Sequence, residues 1–146
     1  MAFRFPLATV LRYRDSMEKR EELALKRVLM EIARARLQIE QLSRQIARAQ
    51  QAVEKTLEQP VSAAHLQSMV AEIDALIDRK KALIESLAAL ERRRRLQMQA
   101  YQAAHRDRKM LSEMADRQRD SYEQERARRE QKFVDDIFAA RAQRGN

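Results

Sequence analysis

The sequence predicts an all-α fold: two long helices in an antiparallel coiled-coil hairpin, with helix two overhanging at the C-terminus. Three observations predict it: a near absence of turn residues, a single internal proline, and a heptad seam on each side of that proline. Of 146 residues, one is Gly (Gly145), two are Pro (Pro6 and Pro60), and the only Asn is the last residue. Turns draw on Gly, Pro, Asn and Asp, so a many-stranded sheet or a βαβ fold is excluded. Ala, Leu, Glu, Arg, Lys, Gln and Met dominate, and all favour helix.

Pro60 supplies the break. Proline lacks an N–H and clashes with the preceding turn, so a helix stops before it. Ser62 then offers a capping hydroxyl for the next helix. Pro6 suits the first turn of helix one. The expected elements are one hairpin domain over 1–146, with helix one at about 6–58, a turn at about 59–62, and helix two at about 63–141. Residues from about Asp116 onward have no facing partner and are expected as unpaired helix or disordered tail.

The apolar spacing decides how the helices pair. Leu25, Val28, Ile32, Ala35, Ile39, Leu42, Ile46, Ala49, Val53 and Thr56 alternate steps of three and four, the spacing of a coiled-coil seam. Helix two repeats it from Leu66, Met69, Ile73 and Leu76 through Lys80, Leu83, Leu87, Leu90, Arg94 and Gln97 to Tyr101, Ala104, Arg108 and Leu111. Folded back at Pro60, the two seams mesh. Val53 meets Met69, Ile46 meets Leu76 and Ile32 meets Leu90, each layer joining an a to a d position. Further out, Glu21 meets Tyr101, Leu11 meets Leu111 and Leu7 meets Ala115. Lys80, Arg94 and Gln97 are polar seam positions. Either their stems cover apolar surface while the heads reach water, or they set register.

Charge is uneven. The net is +8, yet Arg92 to Lys109 holds seven basic residues against one acid, Asp107, a net of +6. Arg92, Arg93, Arg94 and Arg95 form its densest run. They read either as a solvated surface partly paired with helix-one acids such as Glu31, or as a contact for an acidic partner. A nucleic-acid interface is disfavoured, because Tyr13, Tyr101 and Tyr122 are too scattered to stack bases. With no Cys, disulfide and thiolate metal sites are excluded. His65 and His105 lie far apart on one helix, and no phosphate-binding Gly loop or His-Glu-x-x-His pair is present. No catalytic residue, cofactor or metal site is expected. No apolar run approaches the ~18 residues of a membrane span, and the start, Phe5 to Leu11 broken by Pro6, does not read as a signal peptide. The seven Met residues, such as Met30 and Met110, serve as gap fillers or as an adaptable contact surface.

The two ends carry a resemblance. The opening runs Phe3-Arg-Phe5-Pro6-Leu7-Ala-Thr-Val10-Leu11-Arg12. The close runs Glu130-Gln131-Lys132-Phe-Val-Asp135-Asp136-Ile-Phe-Ala-Ala-Arg141. Flanking one long hairpin, these resemble the flagellar export protein FliJ family along the whole chain. The resemblance implies a non-catalytic stalk, similar to the central stalk of rotary ATPases, that binds the hexameric flagellar export ATPase with its terminal end in the ring's pore. It also implies contact with the cytoplasmic domain of the export gate membrane protein, coupling of ATPase activity to export, and work with other export chaperones. The implied place is cytoplasmic, peripheral to the inner membrane at the flagellar base, without membrane insertion or nucleic acid.

On these residues the resemblance assigns ATPase binding to Phe5, Leu7, Val10, Leu11 and Arg12, and to Glu130, Gln131, Asp135, Asp136 and Arg141. A gate contact is implied in the first half of helix two. Leu76, Lys80 and Leu83 fall there within the seam, with Met69, Val70 and Ile77 as solvent-facing neighbours. The Arg92–Arg95 run matches no motif of the family. The alternatives are the stalk of a virulence type III secretion ATPase, a general coiled-coil adaptor and, last, a nucleic-acid binder.

Overall fold

The computed structural model describes residues 2–145. It contains helix α1, Ala8–Leu57, of 50 residues, and helix α2, Ala63–Arg144, of 82 residues. Among the described residues there is no strand.

The helices begin and end for local reasons. Pro6 and Leu7 form a turn ahead of α1, where the Ala8 N–H donates to the Phe5 carbonyl at 3.1 Å and the Leu11 N–H to Leu7 at 2.8 Å. The expected start at Pro6 therefore gives way to a turn and then helix. At the other end, the Glu58 and Gln59 N–H groups reach back three residues, to Lys55 at 3.3 Å and Thr56 at 3.2 Å. That tightens the last turn before Pro60. Ser62 caps α2: its hydroxyl accepts from the His65 N–H at 3.2 Å, satisfying a donor that a helix start leaves unpaired. α2 runs unbroken to Arg144, so the stretch beyond Asp116 is helix.

By their contacts the residues form two compact units, each drawing on both helices. One is Glu21–Tyr101. The other takes the chain up to Arg20 and from Gln102 onward.

Within Glu21–Tyr101 the helix segments pair antiparallel. Glu21 contacts Gln97, Glu31 contacts Arg93 and Arg36 contacts Glu91, so one number falls as the other rises. The seam read from the sequence is the core. Val28 and Ile32 are each 3% exposed and Leu42 is 5%. Leu25, Ala35, Ile46 and Ile73 are also buried, and every other seam position of this unit is half-buried. Burial of an aliphatic side chain contributes about 1.5–3 kcal/mol, here spread along two lines rather than gathered in one core.

The other unit is antiparallel too. Arg14 pairs with Asp107, Glu18 with His105, and the Phe3 ring lies 5.5 Å from that of Tyr122. Ala115 is its buried residue, sharing a cavity with Ala8 and Leu11. Leu7, expected to face Ala115, is 39% exposed, because it lies in the turn before α1. From Asp116 to Gly145, Tyr122 alone is not exposed.

Candidate partner-binding surfaces

The first surface is built where the extended N-terminal residues lie against α2. Phe3 packs on Tyr122 with rings tilted by 43°. A cavity of about 890 Å³ opens beside this contact, lined by Phe3, Arg4, Pro6, Met114, Arg117 and Arg129 among others. It combines apolar walls with guanidinium groups. Of the opening-motif residues, Phe5 and Leu11 are half-buried against a neighbouring cavity, whereas Val10 is 42% exposed and Arg12 is exposed.

The second surface is the outer stretch of α2 in the same unit. Glu130, Gln131, Asp135, Asp136 and Arg141 are all exposed. Glu130 accepts from Arg126 at 3.1 Å, and Gln131 donates to Asp135 at 3.0 Å, each one helical turn apart. Such exposed pairs support a helix only slightly. On the same turns Phe133 and Phe138 are about two-thirds exposed, with Val134 and Ile137 beside them. Sequence reading left these four unassigned. Their signal was four large apolar residues within six positions, after a charged stretch from Glu123 to Lys132, where helix one has no residue left to face them. The opening and closing motifs thus lie in one unit, but the closing residues stand beyond Tyr122, clear of the opening ones.

A charge knot sits in the same unit. Arg108, a seam position, donates through Nε to Glu18, and His105 Nδ1 lies 2.9 Å from the other oxygen of that carboxylate. The Glu18 side chain is 13% exposed. The hydrogen bond from Arg108, then that from His105, hold its carboxyl below its ordinary value, against the opposing effect of burial.

In Glu21–Tyr101 the implied gate residues are mostly occupied. Leu76, Lys80 and Leu83 are half-buried in the seam. Met69 and Ile77, expected to face solvent, are half-buried as well. Met69 is itself a seam residue, and Ile77 adjoins the seam residue Leu76. Val70, at 45%, is exposed. In the arginine run, Arg93 meets Glu31 at 3.4 Å and Arg94 meets Glu91 at 3.3 Å, while Arg92, Arg93 and Arg95 are exposed. The polar seam residues divide. Gln97 donates across to the Glu21 carbonyl at 3.1 Å and to its carboxylate, which ties the register. Arg94 pairs along its own helix, its stem covering the seam.

Among the described residues, no group of three His, Asp or Glu is placed to hold a metal ion, and no helix is long and apolar enough to cross a membrane. The pattern is one of surfaces for protein contact. A family model described as flagellar FliJ protein matches residues 3–146. The chain belongs to the FliJ family. Membership makes it a component of flagellar protein export. No curated protein and no solved structure matches it. The FliJ match spans both end motifs and the paired helices between them.

Proposed function

We propose that this FliJ-family chain is the non-catalytic stalk of the flagellar export ATPase. The observation that carries the reading is that α2 outruns α1 and presents Asp135 and Asp136 beside exposed Phe133 and Phe138 with no facing helix. A helix with bare apolar groups and carboxylates is suited to a partner that surrounds it. In this role the opening motif, Phe5 to Arg12, and the closing motif, Glu130 to Arg141, bind the hexameric ATPase. Val70 and the neighbouring seam residues contact the cytoplasmic domain of the export gate. Export chaperones are further partners. The place of action is the cytoplasmic side of the inner membrane at the flagellar base.

The purified chain is expected to raise hexamer formation or ATP turnover of its cognate export ATPase. Asp135→Arg with Asp136→Arg is expected to weaken binding while helical content stays the same. Absence of binding and of stimulation by the unaltered chain overturns the reading. Removing residues 125–146 is expected to abolish binding and leave the thermal melt unchanged, because every described side chain there is exposed.

A further inference from the structure

The outward face of α1 carries a second heptad line that nothing in the chain covers. Leu23, Arg27, Met30, Arg34 and Leu37 alternate steps of four and three. With Leu25 and Ile32 at a, they fall at c and f, opposite the buried seam. Leu23, Met30 and Leu37 are 55%, 57% and 55% exposed. A scattered exposed leucine is ordinary, but the outward face of an amphipathic helix is polar, and here three large apolar groups share one line. From Ala75 to Glu85 the c and f positions of α2 are Ala75, Asp78, Ala82 and Glu85, and further along the helix Leu96, 68% exposed, and Met110, 60% exposed, stand singly at c without forming a line.

The arginines in the line are also distinct from their neighbours. Lys26, Arg36 and Arg44 are paired, with Glu22 at 3.4 Å, Glu91 at 2.7 Å and Glu40 at 2.6 Å. Among the described residues Arg27 and Arg34 have no carboxylate partner, and both are exposed.

We infer that Leu23, Arg27, Met30, Arg34 and Leu37 form a docking line for an acidic amphipathic helix of another protein. A heptad-spaced line is matched by a helix that keeps the same spacing, and arginines between the apolar groups select carboxylates at alternate positions. Met30, at the centre, adapts to irregular contacts. A membrane surface fits less well, since helices lying in the interface separate their apolar and charged faces, whereas here both share one line. A second copy fits less well too. Its complementary residues, Asp78 and Glu85 among alanines, lie on the outward face of α2, so docking would repeat without closing. The inference does not rest on ATPase binding, which involves the other unit.

The test places the photoreactive residue p-benzoylphenylalanine at position 30 of the full chain, expressed in its native cell, and sequences the cross-linked peptide by mass spectrometry. The expected adduct is a peptide of another protein whose Asp or Glu and Leu, Ile or Met alternate at three- and four-residue steps. Arg27→Glu with Arg34→Glu should lower its yield at least tenfold, and Leu23→Gln with Leu37→Gln should do the same. Lys81→Glu, at an exposed position of α2, should leave it unchanged. No adduct, a lipid adduct, a peptide of this chain, a peptide without that pattern, or a yield indifferent to the line variants overturns the inference.

Discussion

Arg108 and Glu18 form an inter-helix hydrogen bond at a seam position where a coiled coil ordinarily places an apolar residue, with His105 on the other carboxylate oxygen. Glu18→Gln should lower stability by about 1–2 kcal/mol, since a charge-assisted bond is lost and a half-covered guanidinium is left with a weaker acceptor. The pH dependence has a defined sign. A carboxyl held below its ordinary 4.5 by Arg108 and His105 stabilises the fold fully above that value. The contribution is lost as pH falls below 4.5 through the folded-state value. Melting followed by circular dichroism should show the unaltered chain losing more stability than Glu18→Gln below about pH 4.5. Parallel curves would refute it.

Ile32 and Leu23 offer a direct contrast of burial. Ile32 is 3% exposed and Leu23 is 55%. Ile32→Ala should cost about 2–4 kcal/mol in urea unfolding, through lost transfer energy and the space left behind. Leu23→Ala should change stability by no more than about 0.5 kcal/mol.

Lys80 is half-buried at a seam position. Lys80→Leu should raise stability by about 1 kcal/mol, because an apolar side chain then fills the a position. Gln97→Leu should gain less, since its bonds to Glu21 across the helices are lost at the same time. Thermal melts of the two variants measure the difference.

Ser62 accepts from the His65 N–H at the start of α2. Ser62→Ala should cost about 1 kcal/mol, and Ser62→Asp should restore most of it. Hydrogen exchange should show the first turn of α2 opening more readily in the alanine variant.

Much of this chain was legible from its sequence because a heptad seam is local information. Three- and four-residue steps are enough to say that Leu25, Ile32 and Leu42 face inward, and a single proline is enough to say where the chain turns back. The FliJ resemblance was legible for a similar reason, since its motifs are short, contiguous and placed at the two ends. The sequence left open which polar seam residue sets register. Gln97 reaches Glu21 while Arg94 turns to Glu91 on its own helix. Spacing cannot separate these, because the outcome depends on which acceptor lies across the seam at the height of each side chain. The turn before Ala8, rather than helix from Pro6, depended on where the Phe5 carbonyl and Ala8 N–H come to lie. The pairing of Arg36 with Glu91 across the helices was likewise decided by the fold, whereas that of Lys26 with Glu22, four residues apart on α1, follows from spacing. Composition counts charges, but the distance between helices determines which of them meet.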